Sequence, residues 1–396
     1  MFMPLIKPSV QKFIHEHEYL DERELVLAHK TIDGVNSSLI AQQISGRRKA
    51  KDKLPLLYHT PAIIYPASIN LEQCSSEATA KFKSGLVKRG KKFVDLTGGF
   101  GIDCFFFSKN FEESHYVEPN GELLAIVKHN HTLLGVDHIQ YHNTSAEEFI
   151  SSTSTKFDLI FIDPSRRSAT NQKFFKFSDC TPNVVSLLDL ILSKTECLII
   201  KASPLLDLQQ GLKELKFVRK VSIVSVENEC KELLFLCRNG FDEEALIETI
   251  NIPIHGQIDS FSFQFSEEQK IIAKFADPLL YLYEPNASIL KAGAFKIIGA
   301  QFQLHKIHPS THLYTSHDLL QNFPGRIFKI ESIVKPDIKI LKQYFPEGKA
   351  NITTRNYPLS PQQLKLKTKL KDGGEKFLIG FSGISQKFLV AATRVK

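Results

Sequence analysis

The chain has 396 residues, 42% hydrophobic and 23% charged, the composition of an ordinary globular protein long enough for two or three domains. No apolar run approaches the roughly 18 residues of a membrane span, and the opening MFMPLIKPSV is too short and too proline-interrupted for a secretory signal, so a cytoplasmic location without a membrane partner is expected. The six cysteines include no CxxC pair, which argues against a disulfide framework or a zinc site, and a formal net charge of +7 favours an anionic partner.

Residues 1–88 read as helical. LDERELVLAHK and SSLIAQQISGRRKAKDKL place apolar residues three and four apart, and Ser75 or Ser76 can cap a helix that leads into the next region. The second of these segments ends in the basic run Arg47, Arg48, Lys49, Lys51 and Lys53, a candidate nucleic-acid patch. From Lys91 strands alternate with helices: FVDL, SHYVEP, IQYHN, FDLIFIDP and ECLIIKASP as strands, with helix-length segments between them. VRKVSIVSV and KELLFLCRN then follow as strands with no helix between, so residues 89–240 predict a Rossmann-like α/β sheet, parallel with an antiparallel terminal hairpin. After Gly240 the alternation stops. Residues 241–319 read as a linking segment with strands, and 320–396 as a small α+β module, in which LKLKTKLK is expected to turn from helix to strand near Leu366 because KDGGEKF suggests a hairpin.

The chemistry gathers around FVDLTGGFGID. Gly98, Gly99 and Gly101 follow a strand that ends in Asp95, and glycine there allows positive φ and close approach of a ligand. A dinucleotide fingerprint GxGxxG counted from Gly99 would need a third glycine where Cys104 stands. A carboxylate in the turn repels phosphates but can face a cation, which favours S-adenosylmethionine, with Asp95, Thr97 and the three glycines on its methionine half. Glu118, in HYVEPN, lies 23 positions after Asp95, near the ~20-residue offset of a ribose-binding acid. Ser145 and Ala146, in HNTSAEEF, fall where the third strand would meet the adenine edge. Asp163 and Pro164, in FDLIFIDPSRRS, end the fourth strand, where open α/β sheets bind ligands, and can accept the protons of an exocyclic amine.

DLTGGFGID, VEPNGELLAIVKHN and IDPSRR resemble a class I S-adenosylmethionine-dependent methyltransferase. EQCSSEATAKFK, KASPLLD, YEPNASILKAG and RNYPLSPQQLKLKTKLKDGG resemble a bacterial subgroup with a ferredoxin-like segment and a C-terminal THUMP-like domain. The resemblance implies an RNA substrate, tRNA or rRNA, with a base nitrogen as acceptor held by Asp163, Pro164 and Arg166, and with Arg166, Arg167 and Lys201 meeting the nucleic acid. Ser165 and Arg166 depart from the (D/N)PP(Y/F) motif in which an aromatic stacks on the base, so stacking would come from Arg166, Phe174, Phe175 or Phe177, or the substrate is not such a base. Ala202, in KASP, stands where a carbon-methylating enzyme of the 5-methyluridine type would carry its nucleophilic cysteine, and Cys180 is the thiol nearest to replacing it. A DNA or protein methyltransferase, and a non-catalytic RNA-binding protein on a reused fold, stay open as alternatives.

Overall fold

Five runs of β-branched and aromatic residues from Phe93 onward form the strands on which the candidate site is built. The computed structural model describes residues 2–166 and 176–396. They divide into two compact units, Met1–Arg219 with Leu233–Glu243, and Lys220–Glu232 with Glu244–Lys396.

In the first unit, β1 (Gly90–Asp95), β2 (Phe111–Val117), β3 (Ile139–His142), β4 (Leu159–Ile162) and β5 (Cys197–Ala202) are parallel neighbours in the order β5-β4-β1-β2-β3. The strand β6 (Val218–Val226) leads through Glu227 and Asn228, both at positive φ, into β7 (Glu229–Arg238), whose residues from Leu233 pair antiparallel with β5. Phe93, Phe161, Ile162, Ile199 and Ile200 are fully buried, as strands covered on both faces require. The chain leaves β1 towards β2 and leaves β4 towards β5, so the order reverses between these adjacent strands, the kind of switch point at whose carboxyl ends open α/β sheets bind ligands.

The N-terminal helices Pro8–Glu16, Glu22–Ala28 and Ser37–Lys53 close over Val10, Ile14, Leu25, Ile40 and Ile44. Here the basic run departs from its expected role. Arg47 pairs with Glu18 at 3.2 Å, Arg48 with Glu22 and Lys49 with Glu72, while Lys53 donates to the Leu71 and Glu72 carbonyls. These cations are committed to groups of their own unit because the helices packed on Ser37–Lys53 bring carboxylates to it.

The second unit holds β8 (Leu246–Ile252), parallel to β6, and β9 (Asp259–Phe263), antiparallel to β8. A seven-stranded sheet follows, built from β10 (Tyr281–Pro285), β11 (His305–His308), β12 (Thr311–Ser316), β13 (Gly325–Ile333), β14 (Asn351–Arg355), β15 (Lys376–Ser382) and β16 (Lys387–Arg394). Its order is β11-β12-β10-β13-β16-β15-β14. One face packs Leu282, Phe328, Ile379 and Phe388, and a second cluster joins Leu341, Phe345 and Leu364 to Leu378 and Leu389.

The expected strand near Leu366 does not form. Pro361–Thr368 is a helix, closed at its start by a capping box in which Ser360 Oγ accepts from the Gln363 amide and the Gln363 side chain accepts from the Ser360 amide. Leu364 and Thr368, one turn apart, point inward, whereas Leu366 is 80% exposed. The lysines therefore spread around a helix, and Lys365 pairs with Asp372. The helix ends at Lys369, held in the left-handed region at φ 59°. A non-glycine residue there carries a backbone penalty of about 1 kcal/mol. Lys369→Gly should accordingly stabilise the protein by up to about 1 kcal/mol, read as a higher denaturant midpoint. A lower midpoint would mean that the lysine side chain supplies more than its backbone loses.

Candidate active site

The turn after β1 owes its shape to a buried acid and to positions where no side chain fits. Asp95 is 1% exposed, and its Oδ1 accepts the Thr97 amide at 3.0 Å. Burial pushes its carboxyl well above the ordinary 3.8, and the neighbouring Asp103 and Asp163 push in the same direction. At Gly98 a Cβ would lie 2.2 Å from the Tyr116 ring, which is itself fixed by a hydrogen bond from its hydroxyl to the Gly99 carbonyl. Gly101 combines φ +75° with Val127 only 2.5 Å from where its Cβ would sit. The Gly98 amide donates to the Val117 carbonyl at 2.9 Å, which binds the turn to the end of β2.

Glu118 follows β2 directly. One carboxylate oxygen accepts the Gly99 amide at 3.0 Å and the other accepts the Asn120 amide at 2.9 Å. Burial raises its pKa above 4.5, against the opposing pull of those two amides. Asn143, at the end of β3, donates to the Glu118 and Pro119 carbonyls at 3.0 and 2.9 Å and fixes the backbone that carries the acid. The glycine turn and Glu118 are thus one constellation, and each Glu118 oxygen keeps capacity to accept another donor.

At the end of β4 the Asp163 amide donates to Thr97 Oγ1 at 2.6 Å, which places this carboxylate beside the turn. Its Oδ2 forms an ion pair with Lys201 Nζ from the end of β5. The Lys201 side chain is 12% exposed and engaged in this pair. Pro164 is buried beside Asp163. Ser165 and Arg166 pair with Cys180 and Thr181 in a short ribbon, while the Arg166 side chain, Arg167, Phe174 and Phe175 lie outside the described residues. Ser145 caps the helix Ala146–Ser152, its hydroxyl accepting the Glu148 amide, and Ala146 is buried. Neither residue hydrogen-bonds to the glycine turn among the described residues. Cys180 is buried and its thiol donates to the Lys176 carbonyl, a packed cysteine. Among the described residues no cluster of His, Cys, Asp or Glu could hold a metal ion, and no helix is long and apolar enough to cross a membrane.

One group of residues escaped the sequence reading. Lys83, on the helix Glu77–Gly85, has a fully buried side chain that reaches Asp103 at 3.1 Å and Ser75 Oγ at 2.8 Å, and Ser75 donates to Asp103 at 2.7 Å. Asp103 stands two residues beyond Gly101, so the pair ties the preceding helix to the turn. A lysine among the inward positions Glu77, Thr79 and Ala80 was the available signal, because a buried ammonium demands an acidic partner.

His131 supports the turn from behind. Its Nε2 donates to the Gly101 carbonyl at 3.1 Å and its Nδ1 accepts from the Tyr141 hydroxyl at 3.0 Å, an arrangement only the neutral ring can make. Burial lowers its pKa from 6.5 to about 4. The unfolded chain therefore binds a proton that the folded one refuses, and stability is lost as pH falls from 6.5 towards 4, by about 3 kcal/mol. Denaturation of the wild type should show this loss, and His131→Asn should flatten it; an unchanged pH slope in the variant would assign the acid sensitivity elsewhere.

A family model described as a ferredoxin-like domain matches residues 281–324, and one described as THUMP domain-like matches residues 325–394. A crystal structure described as that of a methyltransferase candidate from Porphyromonas gingivalis W83 is 30% identical, with a TM-score of 0.87 over 98% of this chain and 98% of that one. An rRNA methylase from Streptococcus thermophilus matches 41% of this chain and 94% of its own, at 14% identity and a TM-score of 0.31. A methyltransferase candidate from Streptococcus mutans in complex with SAH matches 40% of this chain and 96% of its own, at 12% identity and a TM-score of 0.30. No curated protein matches the chain in sequence.

Proposed function

This chain belongs to the class I methyltransferase group that carries a ferredoxin-like and a THUMP-like domain, and from that membership we propose that it transfers a methyl group from S-adenosylmethionine to RNA. The observation that carries the cofactor reading is Glu118, whose two oxygens are spread by the Gly99 and Asn120 amides and can each accept one hydroxyl of a ribose diol. The donor set fits an adenosyl sulfonium ligand. Asp95 and Asp163 offer acid to its cationic end, and the missing Cβ atoms of Gly98 and Gly101 let backbone approach closely. Bound there, the cofactor supplies an electrophilic methyl group. The residues of the chain hold and aim, since a displacement at carbon gains most from proximity and alignment.

The RNA reading rests on the THUMP-like match, because THUMP domains serve RNA-modifying enzymes as RNA-binding modules, and on the net charge of +7. Transfer is assigned to residues 89–240, with 241–319 and 320–396 presenting the substrate. A base nitrogen as acceptor, the choice made on sequence, calls on Asp163 and Pro164 to receive amine protons, so the state of Asp163 bears directly on that choice.

Glu118→Ala should weaken S-adenosylmethionine and S-adenosylhomocysteine binding at least about tenfold, since hydrogen bonds to a charged acceptor contribute roughly 1.5 to 3 kcal/mol each. Calorimetry with both ligands checks this. Equal affinity in the variant would remove Glu118 from the site, and tight binding of NADH by the wild type would overturn the cofactor reading.

A further inference from the structure

The acceptor atom can be argued from the ends of β4 and β5. An exocyclic amine presented for methylation needs acceptors for its N–H protons. Here Asp163 Oδ2 already receives the Lys201 ammonium, so half of that carboxylate is committed and a cation stands where the amine would approach. After Pro164 comes Ser165, where a base-methylating site would place a ring to stack on the extruded base. A hydroxyl has opposite requirements. It needs no stacking partner, but its proton must leave as the oxygen attacks, so it needs a base held close and in a fixed orientation. A lysine amine gripped by a carboxylate at the mouth of the sheet meets that need.

Resting on the RNA reading, we infer that the acceptor is a ribose hydroxyl and that Lys201, oriented by Asp163, is the base that takes its proton. The hydroxyl oxygen forms the new bond to the methyl carbon. The carbon–sulfur bond breaks and its electron pair stays on sulfur, which leaves as a neutral thioether. The proton passes from the hydroxyl to the unprotonated Nζ of Lys201, and the ammonium so formed is held by the Asp163 carboxylate. Lys201 is then a catalytic residue and Asp163 a positioning one. Among the described residues, Lys201 acts on Asp95 at the end of β1 and on Cys74 as well as on Asp163, and Lys53, Asp103 and Lys83 also act on Cys74. On β7, Leu233 pairs with Ala202 and the residue before it is Glu232. The ion pair with Asp163 favours the ammonium at rest, whereas the neutral amine is the working form, so the rate on RNA should rise with pH as that form is populated.

The test uses the full-length protein, labelled S-adenosylmethionine, and three acceptors offered separately: transcripts of bacterial tRNA and rRNA, duplex DNA, and cytosolic protein. Labelled RNA is digested to nucleosides for mass spectrometry, and a parallel sample is treated with alkali. The expected product is a 2′-O-methyl nucleoside, recovered as an alkali-resistant dinucleotide because the methylated hydroxyl can no longer attack its phosphate. Methyl on a base would overturn the inference and leave the RNA reading standing. Methyl in DNA or protein alone would overturn both. Lys201→Arg keeps the positive charge and the means to pair with Asp163 but cannot act as a base, so it should lose at least about 100-fold in rate while its calorimetric affinity for S-adenosylhomocysteine stays unchanged. An arginine variant with full activity and the wild-type pH profile would overturn the role of Lys201. Asp163→Asn should keep part of the activity with a displaced pH profile, and a wild-type profile in that variant would contradict orientation by Asp163.

Discussion

The hydrogen bond from the Asp163 amide to the Thr97 hydroxyl is the constraint on which the rest of the site depends. Thr97 belongs to the turn after β1 and Asp163 to the end of β4, the two adjacent strands from which the chain departs in opposite directions. Thr97 is placed in its turn by Asp95, which accepts its amide. A buried acid thus sets a hydroxyl, and the hydroxyl sets the carboxylate at the neighbouring strand end. Across the turn, the Gly99 amide does the same for Glu118 at the end of β2. Three strand ends are fixed to one glycine turn by hydrogen bonds of 2.6 to 3.0 Å. A transfer whose barrier is lowered chiefly by alignment needs that fixity.

Charge is arranged with similar economy. Lys83 is matched by Asp103 and Lys201 by Asp163, so neither of these inward ammonium groups is left uncompensated. Asp95 has no such cation bonded to it among the described residues, and burial raises its pKa well above the ordinary value. A cationic ligand arriving beside that acid would favour its ionised form. A turn with a carboxyl group so placed suits a sulfonium or an ammonium better than a phosphate.

The α/β sheet was legible because each strand is a short apolar run and each connection has helix length, and local pattern is enough to place such elements. The glycine turn and Glu118 were legible for a related reason, since their spacing follows from one strand–turn–helix–strand unit. What sequence could not supply was pairing between distant residues. Lys201 read as a contact for the nucleic acid because Asp163 is 38 positions away, and their meeting depends on β4 and β5 being neighbours. Arg47, Arg48 and Lys49 read as a nucleic-acid patch because Glu22 and Glu72 lie on other helices and Glu18 in the turn after Pro8–Glu16. In LKLKTKLK the alternation of leucine and lysine suggested a strand, but the Ser360 cap and the inward pair Leu364 and Thr368 held the helix. Ser145, placed by motif offset, also caps its own helix, a local role that the sequence reading did not assign.

The most direct test of this account is a crystal structure of the protein grown with S-adenosylhomocysteine. The account places both ribose hydroxyls within hydrogen-bond distance of the Glu118 carboxylate, the amino-acid end against the turn from Asp95 to Gly101, and the sulfur facing the Asp163–Lys201 pair. A ligand bound elsewhere, or one whose sulfur points away from that pair, would contradict it.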